Sequence, residues 1–284
     1  MAGVLVTGET WIRVPETIRI DWSGALPHGS SAKDMMLKLC ATLGMDGGDY
    51  QAVEYTGSTI AGLSMTERMT MSNMAAELGA QAGLIAADGT TADYIRAAGA
   101  DPDEGTAFAG DDDAAYRVVH KFDASALGPQ VAAPDSPANS GPVEDADDAP
   151  VDQCYIGACT GAKLEDLHMA AEILSCRKVA SGTRLLLAPA STRITAAAAA
   201  DGTLAKLTEA GAILMPSGCG ACAGYGAGVL AEGETCMAST ARNFKGRMGA
   251  RSSKVYLGSP YTVAATAVRG RVADPRPFLA ENRS

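Results

Sequence analysis

Two stretches of this chain carry related rhythms of apolar and polar residues. In "ETIRIDWSG" (16–24) apolar positions alternate with polar ones, the period of a half-buried strand. "SSAKDMMLKLCATLG" (30–44) changes to a helical period, with serine at its start and glycine at its end. "YQAVEYTG" (50–57) reads as a strand, and "SMTERMTMSNMAAELGAQAG" (64–83) as a helix with small residues on one side. "GLIAAD" (83–88) and "AYRVVHKFDAS" (115–125) read as strands around the helical "TTADYIRAAGA" (90–100).

Past residue 151 the alternation is cleaner. Strands fit "QCYIGA" (153–158), "TRLLLAPA" (183–190), "GAILMP" (211–216), "ETCMAST" (234–240) and "SKVYLGS" (253–259). Helices fit "KLEDLHMAAEILSC" (163–176), "TRITAAAAADGTLAKLTEAG" (192–211) and "YTVAATAVRG" (261–270). Such alternation predicts an α/β protein of three-layer α/β/α domains with mainly parallel sheets. Between the halves, "VAAPDSPANSGPVEDADDAPVD" (131–152) is rich in Pro, Asp, Ser and Ala and reads as surface linker. The predicted organisation is a domain over 1–133, an acidic linker over 134–150 and a second domain over 151–284.

Composition narrows the function. Apolar residues make up 47% of the 284 and charged residues 20%, as in a globular protein with room for two cores. The formal charge of −10, with no local basic cluster, argues against nucleic acid as a partner. No uncharged apolar run reaches the roughly 18 residues of a membrane span. The start, "MAGVLVTGETWIRVPE", lacks the basic opening and apolar centre of a secretion signal, so the expected compartment is the reducing cytoplasm.

Seven cysteines remain to be explained. Cys219 and Cys222, in "MPSGCGACAG" (215–224), are spaced as in a redox pair, half of a zinc site or part of an iron–sulfur cage. Ligands of parallel sheets gather at the carboxyl ends of strands. Cys159 follows the strand "CYIGA" and Cys219 follows "GAILMP", so all three thiols converge on one rim if those strands are close. A redox site needs only two thiols, and structural zinc needs four ligands that no second CxxC or histidine supplies. Three thiolates fit a cubane with one iron uncapped. Cys40, Cys154, Cys176 and Cys236 lie in strand and helix patterns and read as buried core thiols.

The segments "YIGACTGAKLEDLHMAAEILSCRKVASG", "GCGACAG", "ARNFKGRMG" and "VYLGSPYTVAATAVRGR" stand in the order and spacing of the aconitase and 3-isopropylmalate dehydratase large-subunit family. "GETWIRVPETIRI", "SAKDMMLKLC" and "LSMTERMTMSNMAAELGAQAGLIAADGTT" resemble the same family, so the likeness covers nearly the whole chain outside the acidic segment. It implies an aconitase iron–sulfur domain fold for the second half. It implies that Cys159, Cys219 and Cys222 hold a [4Fe-4S] cluster acting as a Lewis acid in dehydration and rehydration of a small 2-hydroxy di- or tricarboxylate such as isopropylmalate. Arg242 and Arg247 match the family's carboxylate-binding arginines; by composition alone they read as two surface cations. Asn73 and Glu77 match positions beside the open iron. Four apart, they are expected on one helical face, Glu77 exchanging the proton of the departing hydroxide.

Departures accompany the likeness. Where the family usually reads Gly-Ser-Cys-Thr-Asn-Ser, this chain has Gly157, Ala158, Cys159, Thr160, Gly161 and Ala162, and Ala241 replaces an asparagine. The three histidines, 28, 120 and 168, stand outside the family's Asp-Ser-His-Thr motif. The likeness therefore suggests the later two domains of a large subunit, paired with a small subunit carrying the proton-abstracting serine. The rival expectation is a non-catalytic cluster-binding or scaffold fragment.

Overall fold

The computed structural model describes residues 2–102, 109–111 and 113–281. A short helix, α1 (Ala2–Thr7), precedes two sheets. The first contains β1 (Thr17–Ser23), β2 (Ala52–Thr56), β3 (Ala82–Leu84) and β4 (Val118–Asp123), all parallel, in the order β3-β2-β1-β4. The second contains β5 (Gln130–Ala132), β6 (Ser140–Pro142), β7 (Gln153–Gly157), β8 (Arg184–Ala188), β9 (Ala212–Leu214), β10 (Thr235–Ala238) and β11 (Lys254–Leu257). Its order is β6-β5-β11-β10-β7-β8-β9, parallel from β11 to β9 and antiparallel at the β5–β6 edge.

The helices are α2 (Ala32–Leu43), α3 (Ser58–Gly62), α4 (Met65–Met74) and α5 (Gly89–Ala97), then α6 (Ala158–Gly161) and α7 (Leu164–Leu174). They continue with α8 (Thr192–Ala200), α9 (Thr203–Ala210), α10 (Pro260–Arg269) and α11 (Arg276–Glu281). Ile18, Ile20 and Trp22 of β1 share a core with Met35, Met36 and Leu39 of α2 and Met71 and Met74 of α4. Tyr155, Leu186, Leu230 and Met248, on one side of the second sheet, join that same core. The opposite side packs Cys154, Ile156 and Leu187 against α7, α9 and α10. The result is the expected three-layer α/β fold, its two sheets joined by a shared apolar seam.

Four sequence expectations need correction. The stretch expected as linker supplies β6, which pairs with β5, and buries Val143. An edge hairpin is held by backbone hydrogen bonds, so it does not need large side chains, and Pro142 is tolerated because it sits on the edge strand. The chain therefore enters the second sheet at Gln130, ahead of the expected boundary. The helix expected over 64–83 is α4 followed by a 3-10 turn, Ala75–Leu78, which Gly79 closes in the left-handed region. A Cβ at Gly79 would meet the Met45 carbonyl at 2.7 Å. At three residues per turn, positions four apart no longer share a face. Asn73 is accordingly exposed while Glu77 is buried. The helix expected over 192–211 is two, divided at Gly202 with φ of 84°. Cys176 is exposed, in a turn with φ of 58° beyond the end of α7, whereas Cys40, Cys154 and Cys236 are buried as expected.

Candidate active site

Cys159 lies in α6, directly after β7, and Cys219 and Cys222 lie in the loop after β9. β7, β8 and β9 are parallel neighbours, so these loops leave the same rim of the sheet. The elbow before Cys159 is tight. Gly157 has no room for a Cβ, which would meet the Tyr155 ring at 2.1 Å, and Ala158 takes a φ of 66°. The other loop turns on Gly218, Gly220 and Gly224, all at positive φ, and forms a 3-10 turn over Gly220–Ala223.

Cys159 and Cys219 are exposed and Cys222 is buried. Burial pushes the Cys222 thiol up, the Arg247 guanidinium opposes that rise, and the nearby thiols of Cys159 and Cys219 add to it. The three sulfurs therefore share one electrostatic neighbourhood. Among the described residues no three His, Cys, Asp or Glu side chains are grouped to hold a single metal ion. That does not conflict with a cluster, which takes one thiolate per iron and spaces its sulfurs accordingly. An all-cysteine donor set from two loops on one rim fits a cluster with a corner left without thiolate. Cys176 cannot supply that corner, because α7 starts at the rim and carries the chain roughly 16 Å away.

The first sheet's helices form the other wall. Asn73, in the last turn of α4, directs its Nδ2 to Cys159 Sγ at 3.3 Å. Thr70 on α4 donates to the Thr160 carbonyl at 3.3 Å and accepts from Lys163 Nζ at 2.9 Å. Lys163 also pairs with Asp166 at 2.7 Å. Glu77, 2% exposed, accepts from Arg242 Nε at 2.6 Å. Arg247 donates from Nε to the Cys222 carbonyl at 2.9 Å. Arg247 also bonds the Cys222 thiol, so it is bound to that loop, whereas the terminal nitrogens of Arg242 make no hydrogen bond to a described residue and stay available. Asn243 between them is buried and donates to the Ala133 and Val255 carbonyls, tying the turn to the second sheet.

The sequence reading missed Lys33, Tyr155 and Ser239. Lys33 stands three, four and seven positions before Met36, Leu37 and Cys40, a cation on the apolar stripe of α2, and that misfit was its signal. Tyr155 lies beneath the thiol loops; burial, then the Cys222 charge, raises its hydroxyl to about 12. Ser239, wholly buried, accepts from the Gly157 N–H at 3.1 Å and donates to the Gly161 carbonyl at 3.0 Å, bracing the Cys159 elbow. Neither of these two had a local signal.

A model of the Aconitase family (aconitate hydratase) matches residues 1–150 and 141–270. The 3-isopropylmalate dehydratase large subunit 1 of Methanopyrus kandleri is 45% identical over 279 residues, 98% of this chain and 66% of that protein. Large subunit 2 of Archaeoglobus fulgidus is 42% identical over 279 residues, 98% of this chain and 67% of its own length. This chain thus spans about two thirds of the curated relatives it matches. Among solved structures, the holo-form of aconitase X from Thermococcus kodakaraensis aligns over 84% of this chain and 53% of that one, at 13% identity and a TM-score of 0.45. Nothing about the site follows from so loose a likeness.

Proposed function

The chain belongs to the aconitase family, and we propose that it forms the cluster-holding part of a 3-isopropylmalate dehydratase-type large subunit, a hydro-lyase for a small 2-hydroxy di- or tricarboxylate. The observation that carries this reading is the common rim: thiols leave the ends of β7 and β9 beside two arginines, Arg247 held at Cys222 and Arg242 anchored by Glu77 with its terminal nitrogens free. Cys159, Cys219 and Cys222 would hold a [4Fe-4S] cluster, which when bound supplies a Lewis-acid iron that eases departure of hydroxide. Asn73 donates to the Cys159 sulfur and steadies its negative charge. Arg242 and Arg247 offer donors to the substrate's carboxylates, a bidentate match for a planar fork. Glu77 keeps Arg242 in place through one oxygen and leaves the other to exchange a proton with the leaving water. A small-subunit partner contributes the serine that takes the carbon-bound proton. Seven free thiols suit the reducing cytoplasm.

Anaerobic reconstitution with iron and sulfide, one-electron reduction with dithionite and then electron paramagnetic resonance test the cluster. Wild type is expected to show a cluster signal, Cys159→Ser and Cys222→Ser to lose it, and Cys176→Ser to keep it. A folded wild-type chain without signal, or a Cys222→Ser chain with it, overturns the reading. A second reading is cluster binding without turnover. A hydratase assay with the small subunit added separates the two.

A further inference from the structure

Lys33 is buried where a charge is expensive, and the chemistry proposed above does not use it. It is 2% exposed, in the first turn of α2. A buried ammonium costs several kcal/mol unless acceptors and opposite charge lie close. Its Nζ donates to the Thr240 carbonyl and lies 3.5 Å from Met74 Sδ. Thr240 opens the turn that carries Arg242, and Met74 adjoins Asn73, so one ammonium touches both walls of the site. Burial holds Lys33 down to about 8, and the carboxylates of Glu77 and Asp34 oppose that fall.

Of the carboxylates, Asp34 is committed elsewhere. It accepts from the Ser31 N–H at 2.8 Å, the Ser31 hydroxyl at 3.0 Å and the Gln130 N–H at 2.8 Å. Among the described residues Glu77 takes one hydrogen bond, from Arg242 Nε. A buried carboxylate facing a single arginine draws the guanidinium into a two-pronged pair, because that geometry satisfies both oxygens. Here the arginine stays single-pronged, and the buried Lys33 ammonium, seated on the Thr240 carbonyl two residues before Arg242, acts on the Glu77 charge through space without pairing with it.

We propose that Lys33 is a positioning residue for Arg242: its ammonium grips the turn at Thr240 and shares the charge of Glu77, so Arg242 keeps its terminal nitrogens at the rim for a ligand carboxylate. Without that cation Arg242 closes onto Glu77 with both prongs and its free donors are withdrawn. The carboxylate-binding half rests on the function proposed above; the single-pronged geometry does not.

Two measurements test the proposal separately. In nitrogen-15 spectra of the ligand-free chain, the Arg242 Nη signals are expected to be rotationally averaged in wild type and split in Lys33→Met. Calorimetric titration of 2-isopropylmalate into the reconstituted chain is expected to show roughly tenfold weaker binding in Lys33→Met, and no further loss when Arg242→Ala is already present. Lys33→Arg, which keeps the charge, is expected to restore most of the affinity. Should Lys33→Met not fold, Lys33→Gln keeps a donor for the Thr240 carbonyl and removes the charge. Unchanged Arg242 signals, or equal losses of affinity with and without Arg242, overturn the proposal and leave Lys33 a structural residue. A wild-type chain that binds no isopropylmalate sinks the carboxylate-binding reading, and the spectra then decide the role of Lys33.

Discussion

Gly161→Ala sets two opposing effects against each other in a way the structure can weigh. Gly161 ends α6, and its φ lies outside the left-handed region, so its backbone is open to alanine. Helix propensity alone then favours alanine by about 1 kcal/mol. Against this, a Cβ would stand 2.3 Å from Ser239 Oγ, 2.4 Å from Ser239 Cβ and 2.4 Å from the Ser239 carbonyl oxygen. Rotating Ser239 would strip the bonds to the Gly157 N–H and the Gly161 carbonyl, at about 1 kcal/mol or more each in a buried site. The carbonyl cannot rotate away, so α6 must also move about 1 Å off the end of β10, an overpacking cost of about 1–3 kcal/mol. The expected net loss is about 3 kcal/mol, or a thermal midpoint lower by about 10 °C. Urea unfolding followed by far-UV circular dichroism reads it directly, and Cys159, two residues away, is expected to load iron poorly in the same variant. A Gly161→Ala chain as stable as wild type refutes the packing argument. The same clash explains why the asparagine usual in the family has no place beside this Ser239, and Gly161→Asn is expected to be no better tolerated.

Iodoacetamide applied to the native ligand-free chain is expected to label Cys159, Cys176 and Cys219 and to spare Cys40, Cys154 and Cys236; burial raises Cys40 and Cys236 to about 12. After reconstitution only Cys176 of the exposed three should still react, a pattern that peptide mass spectrometry checks. Asp34 gives a pH prediction: burial pushes its carboxyl up to about 6 from 3.8. The folded state then holds this proton more tightly than the unfolded one, so the group's contribution to stability is complete below about pH 4 and is lost as pH rises through 6. Asp34→Asn is expected to shrink the stability difference between pH 4 and pH 7 by up to about 3 kcal/mol, and an unchanged difference removes Asp34 from the account.

Local patterns reveal whatever local physics decides. Strand–helix alternation past residue 151 was readable because the central strands β7, β8, β10 and β11 are largely buried on both faces and read as apolar runs. The placement of Cys159 and Cys219 followed, since strand ends in a parallel sheet share a rim. The β5–β6 hairpin was hidden because backbone pairing on a sheet edge leaves little trace in composition. The break after Met74 was hidden because it depends on Gly79 meeting Met45, a contact made only in the folded chain. Lys33 and Thr240 are 207 residues apart, and Arg242 and Glu77 are 165 apart. Pairs like these have no periodicity to find. The likeness to a family carried Arg242 and Glu77 into view, while Lys33, though inside the similar segment "SAKDMMLKLC", was marked only by its misfit on the apolar stripe of α2.

The seam between the sheets raises a question of energetics that bears on function. It is crossed by polar links: Lys33 to Thr240, Asp34 to Gln130, Lys163 to Thr70 and Glu77 to Arg242. Buried polar pairs are poor sources of stability, since apolar residues of similar volume often serve as well or better. The shared apolar core already joins the two sheets, so these links are not required for cohesion. What they add is direction. An apolar seam tolerates sliding, whereas each of these bonds works only at one relative placement of α2 and α4 against the ends of β7 and β10. Asn73 and Cys159 arrive from opposite sides of that seam, as do Glu77 and Arg242. Misplacement by about 1 Å between such partners can cost a hundredfold in rate. Polar links across the seam thus make sense as devices that fix the register of a site neither sheet could build alone.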